Sequence, residues 1–71
     1  MIKPQQIEAA RQHGHISIVF MCNALNLGSV GEYQKTISGR APISIYQKIM
    51  LFDAFETYPD LIPMLCTNND A

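Results

Sequence analysis

Charge is scarce in this sequence. Asp, Glu, Lys and Arg make up 15% of its 71 residues and balance to a net charge of -1. That balance argues against a generic polyanion binder, which relies on excess positive charge. Tryptophan is absent, and there are only two cysteines, Cys22 and Cys66. They have no CxxC spacing, and His13 and His15 stand only two apart, so neither type gives a metal-site pattern. Both cysteines are expected as reduced thiols in the core or an interface. Long hydrophobic runs are missing too. The longest, Ile16 to Leu27, is broken by Ser17, Asn23 and Asn26. It is far shorter than the ~20 residues of a membrane span. No basic stretch with a cleavage site precedes it, so a secretory signal is not expected. These absences point to a cytoplasmic chain with no membrane partner.

Catalytic signatures are equally thin. There is no phosphate-binding glycine loop of the P-loop type, and no paired carboxylates with an apolar pocket are expected. Cys22 has no histidine at a telling position. A chain this short cannot easily enclose a substrate pocket. No enzyme activity, small-molecule substrate, cofactor or metal is expected.

Hydrophobic residues are plentiful, at 48%. Disorder is therefore not expected over most of the chain. A single domain over residues 1–66 accounts for that content, with residues 67–71 as a polar, frayed tail. A domain of this size buries only ~60% of its unfolded surface, and self-association is a common remedy. The charges are also unevenly spread. Residues 1–48 hold Lys3, Arg11, Lys35, Arg40 and Lys48 against Glu8 and Glu32, about +3. Residues 49–71 hold Asp53, Glu56, Asp60 and Asp70 and no base, -4. Such a split can orient a protein on an acidic partner even at low net charge.

The pattern predicts short helices throughout. Pro4 suits a first helical position and Gly14 a stop, giving a helix over residues 4–13. His15 to Leu27 is the second element. Ile16, Val19, Phe20, Asn23, Ala24 and Leu27 form one helical stripe, although the Ile16–Phe20 start also suits a short strand. Length favours the helix. Apolar residues on its other sides suggest a central helix or one shared with a second subunit. Gly28 is the expected left-handed stop. Ser29 with Glu32 is a capping box opening a third helix, about 30–38, with Val30, Tyr33 and Ile37 inward. Gly39 ends it. After the Arg40–Ile43 loop, Ser44 with Gln47 is a second capping box. The fourth helix spans about 45–56, with Ile45, Ile49, Phe52 and either Leu51 or Phe55 inward. Tyr33 and Tyr46 are expected at the edge of the core. Tyr58-Pro59 breaks the chain, and residues 60–65 form a fifth short helix. Four or five helices without a hairpin signal give an all-α bundle.

Ala24, Leu27, Gly28 and Ile37 have the spacing of a helix-turn-helix: a small residue for close approach, a glycine turn, and two apolar residues holding both helices. The segment resembles the Cro/lambda-repressor type of helix-turn-helix. Its exit, Ile37-Ser38-Gly39-Arg40-Ala41-Pro42-Ile43-Ser44, followed by an apolar helix ending Asp53-Ala54-Phe55, resembles the antitoxin-like branch of that family. Ser29 and Gln34 are polar where the family is apolar. The resemblance covers residues 16–56. It implies a compact helical domain, usually dimeric, that binds operator DNA and represses transcription, as in small phage-like regulators.

On that reading double-stranded DNA is the partner and a homodimer the working form. Gln34 is a candidate base reader, since an amide can bond adenine bidentately. Lys35 and Ser38 are candidates for bases or phosphates. Ser29 and Gly31 lie at a helix N-terminus, whose amides favour a phosphate. Arg40 and Lys48 would clamp the flanking backbone. Helix two and Tyr58–Cys66 are the candidate dimer faces. An alternative is a protein–protein interaction module on the same scaffold, an anti-repressor or inhibitor, which the low basic content favours.

Overall fold

The computed structural model describes residues 2–66, which fold into five α-helices and two short 3₁₀ turns with no strand among them. The expected tail at 67–71 lies outside the described residues. The helices are α1 (Pro4–His13), α2 (Ile18–Ala24), α3 (Val30–Ile37), α4 (Ile45–Ala54) and α5 (Ile62–Leu65). The 3₁₀ turns, Phe55–Thr57 and Pro59–Leu61, lead from α4 into α5. This is the all-α bundle the pattern predicts. No helix among the described residues is long and apolar enough to cross a membrane.

Serines start three of the helices. Ser17 Oγ accepts a hydrogen bond from the Phe20 amide at 3.1 Å, Ser29 Oγ from Glu32 at 3.2 Å, and Ser44 Oγ from Gln47 at 3.1 Å. Each satisfies an amide that has no partner within its helix. The Ser44–Gln47 box closes reciprocally, because Gln47 Oε1 accepts from the Ser44 amide. The Ser29 box does not close on itself. Glu32 turns instead toward the Gly28 amide, at 3.5 Å.

Three helices end in the same way, and here the structure corrects one expected stop, that of α2. A left-handed residue follows the helix, and the next amide reaches back to a carbonyl in the last turn. In α1 that residue is His15 (φ 55), with Ile16 N bonded to Arg11 O. In α2 it is Asn26 (φ 56), with Leu27 N bonded to Cys22 O at 2.7 Å. In α3 it is Gly39 (φ 84), as expected. Gly28 is therefore not the stop of α2. Asparagine tolerates the left-handed region and takes the role two residues earlier. Gly14 does end α1 as its C-cap, as expected, and it has a second function: a Cβ there would stand 2.5 Å from Leu61 Cδ1, so the bare glycine lets α1 approach the Pro59–Leu61 turn.

These boundaries shorten α2 to seven residues and change its buried side. Met21, Cys22, Ala24 and Leu25 enter the core, while Asn23 is exposed and Val19 is 65% exposed. The stripe counted from Ile16 fails because Ser17 is a cap and Ile16 lies outside the helix. Around α2 the core gathers Ile7 and Ala10 of α1, Tyr33 of α3, Leu51 of α4, and Phe55, Leu61 and Leu65. Phe20, Phe55 and Tyr58 pack as an aromatic triad with centroids 5.6–6.4 Å apart. Gln47 ties α4 to the end of α2 by donating from Nε2 to Leu25 O at 2.9 Å.

Four further expectations change. Both Leu51 of α4 and Phe55 of the turn that follows it are buried, but Ile45 and Ile49 face solvent. Tyr46 is exposed, not at the core edge. Val30 is exposed, and Thr36 takes the inward position instead, its hydroxyl donating to Glu32 O at 2.9 Å. Cys22 is buried but Cys66 is exposed, and both are free thiols.

Candidate nucleic-acid interface

α3 is held in place from behind. Its two buried residues, Tyr33 and Thr36, lie on one side of an eight-residue helix. Tyr33 is 1% exposed, and its hydroxyl donates to Glu8 Oε1 of α1 at 2.7 Å. Glu8 in turn accepts from Arg11 Nε and Nη2, at 2.8 and 2.7 Å, and from Gln12 Nε2 at 2.8 Å. Arg11 Nη1 also donates to Ile16 O at 3.0 Å. A planar guanidinium meeting a carboxylate with two parallel bonds is a strong and directional contact. The Arg11 bonds, aided by Tyr33 and Gln12, hold the Glu8 carboxyl at about 2, against a burial effect that would raise it. Burial, and then the bond to Glu8, pushes the Tyr33 phenol well above its usual range. Tyr33 therefore stays protonated and donating, and Glu8 ionised and accepting, across the ordinary pH range.

With Tyr33 and Thr36 turned in, the other side of α3 must face out. Gly31, Gln34, Lys35 and Ser38 are exposed there. The turn at Gly39 brings Arg40 back beside them, its amide bonded to Lys35 O at 2.9 Å. Gly31, Gln34, Lys35, Ser38 and Arg40 together line an open hollow of about 440 Å³. A Cβ built on Gly31 would meet nothing nearer than Ser29 Oγ at 3.8 Å, so no packing in this chain requires the glycine. A helical glycine costs roughly 0.5–1 kcal/mol relative to alanine. Close approach of another molecule is one physical reason to keep it.

Five of the seven residues singled out in the sequence thus share one hollow. The other two lie apart. Ser29 is occupied as the cap of α3, beside the Glu32 carboxylate at the same helix end. Lys48 lines a neighbouring depression with Ile2, Pro4, Gly39, Ala41, Pro42 and Ile43. The two hollows adjoin at the Gly39–Ala41 loop. Ser38 Oγ donates inward to Lys35 O at 3.0 Å, which leaves its lone pairs for a partner.

The Glu8–Arg11–Tyr33 linkage was missed in the sequence. Glu8 and Arg11 stand at i,i+3 spacing, which hints at an ion pair. The tyrosine lies 25 positions further on, and only the fold brings it there. Its consequence for charge is direct, since Arg11 is neutralised within the chain. Among the described residues no group of three or more His, Cys, Asp or Glu is placed to hold a metal. No family model matches the chain, and neither does any curated protein or solved structure.

Proposed function

We propose that the chain is a sequence-specific DNA-binding regulator, a small cytoplasmic repressor that meets duplex DNA through the outer side of α3 and works as a homodimer. The observation that carries this reading is the convergence of Gly31, Gln34, Lys35, Ser38 and Arg40 on one hollow, on a helix fixed from behind by Tyr33. A short rigid helix with an amide and two cations on its free side suits a major groove. Gln34 has the donor and acceptor that adenine needs. Lys35 and Arg40 supply charge for phosphates, and Lys48 extends that charge across the Gly39–Ala41 loop. Ser29 opens α3, its exposed hydroxyl accepting from the Glu32 amide.

Titrating isotope-labelled protein with a mixed-sequence duplex tests the proposal. Amide shifts should concentrate on Gly31, Gln34, Lys35, Ser38 and Arg40. Shifts centred elsewhere, or none at low salt, would remove it. A second reading, recognition of an acidic protein surface by the same hollow, is favoured by the neutralised Arg11, which leaves Lys3, Lys35, Arg40 and Lys48 without a salt bridge among the described residues. Steep loss of duplex binding with salt, together with sequence preference, separates DNA from that alternative.

A further inference from the structure

Five large hydrophobic residues stand exposed among the described residues, and three of them lie on α4. Ile45 is 73% exposed, Tyr46 77% and Ile49 59%. At ~100° per residue they share one side of the helix with Asp53, while Leu51 turns inward. The N-terminal half of this side, Ile45 and Tyr46, is the most exposed. The C-terminal half borders a hollow of about 440 Å³ lined by Ile49, Met50, Phe52, Asp53, Glu56 and Ile62. One helix therefore carries exposed apolar side chains at one end and a shallow, open hollow at the other, about two turns apart.

We infer that this face binds a second copy of the chain, with the two α4 helices antiparallel about a two-fold axis near Ile49. A two-fold interface must be self-complementary: what protrudes at one end must fit what recedes at the other. On α4 the exposed Ile45 and Tyr46 at one end and the open hollow beside Phe52 and Asp53 at the other allow that pairing. With the axis at Ile49, Ile45 falls against the partner's Phe52, and Tyr46 against the partner's Asp53. The tyrosine hydroxyl then has a carboxylate to donate to. A parallel arrangement would instead set like carboxylates together at Asp53 and Glu56, which is unfavourable.

The area is adequate. Ile45, Tyr46 and Ile49 present ~400 Å² of mostly apolar surface, at the level of the largest patch a monomer carries. Doubled, and with Met50, Phe52, Asp53 and Glu56 at the rims, the contact reaches about 1,000 Å², the lower bound for a specific interface. Association is therefore modest in strength. The inference moves the dimer contact from α2 and the C-terminal segment to α4. Tyr58, Leu61 and Leu65 of that segment are already packed inward. It does not rest on the DNA reading.

Sedimentation equilibrium over a concentration series tests it. The wild-type chain should pass from one to two chain masses with rising concentration. Ile45→Glu and Tyr46→Glu, at highly exposed positions that leave the core intact, should each raise the half-association concentration at least tenfold. In a Cys66→Ser background, Ile49→Cys lies on the axis and should cross-link to a covalent dimer under mild oxidation, while Gln5→Cys on α1 should not. A wild-type chain that stays monomeric to about 1 mM overturns the inference, as does a dimer unaffected by both glutamate variants. A monomer that still binds duplex DNA overturns it and leaves the DNA reading standing. A dimer without DNA affinity supports it and removes that reading.

Discussion

α3 and α4 begin alike and end up facing different worlds. Each is opened by a serine whose hydroxyl accepts from the amide three residues on. Each has a side buried against α2 or its neighbours. Yet the free side of α3 is Gly31, Gln34, Lys35 and Ser38, and the free side of α4 is Ile45, Tyr46 and Ile49. Caps and core residues decide that a helix forms and where it sits. They do not decide what its free side meets. A polar side with cations suits a charged, hydrated surface such as DNA, whereas an apolar side is stable in water only at a cost and gains most from a second apolar surface. The small chain thus has two differently addressed faces.

The contrast can be broken or sharpened by substitution. The largest effect belongs to the support beneath it. Leu51→Ala hollows the core under α4 and should cost ~2–5 kcal/mol, read in urea unfolding, with loss of both faces together. Arg40→Ala should act on one face alone, lowering duplex affinity about tenfold for all sequences while leaving unfolding and self-association as they were. Tyr33→Phe removes the strut behind α3 and should cost ~1 kcal/mol, because Glu8 keeps its Arg11 bonds.

That strut also predicts a pH dependence. Glu8 titrates at about 2 in the folded chain against 4.5 for the free side chain. Between those values the unfolded chain binds more protons than the folded one. The stability Glu8 contributes is therefore complete above about 4.5 and is lost as pH falls toward 2. Acid unfolding should show that window, and Tyr33→Phe should narrow it from its lower end by raising the folded value. The smallest effect is also the most pointed. Gly31→Ala should stabilise α3 by ~0.5 kcal/mol, since the new methyl meets only Ser29 Oγ at 3.8 Å. It should nonetheless weaken duplex binding if DNA comes close to the helix there. A thermal melt and a binding isotherm on the same variant compare the two.

Helix existence was legible in the residues because caps are local. Ser29, Ser44 with Gln47, Pro4 and Gly39 act within three or four positions, and each marks an end that the structure has. The inward sides were less legible. In α2 every residue but Asn23 is apolar or small, so periodicity could not choose between the stripe through Val19 and the one through Met21 and Leu25. In α4, Ile45 and Ile49 were assigned to the core because apolar residues usually go there. They face solvent because α4 turns Leu51 into the core on its other side, where Gln47 also bonds Leu25 O. The left-handed stops at His15 and Asn26 were hidden because glycines stand nearby at Gly14 and Gly28. For the candidate site, the outward set Gly31, Gln34, Lys35 and Ser38 could be read from α3 alone once Tyr33 was taken as inward. The link from Tyr33 to Glu8 depends on α1 and α3 meeting in space, which no local pattern records.

The salt dependence of duplex binding decides whether the outer side of α3 meets DNA, as proposed. Lys35, Arg40 and Lys48 are three cations available to phosphates, and the log–log slope of affinity against salt should therefore be about -3 per chain, at ~-0.9 per phosphate. It should flatten by about one unit in Arg40→Ala. A slope near zero, or no duplex binding at low salt, would contradict the account.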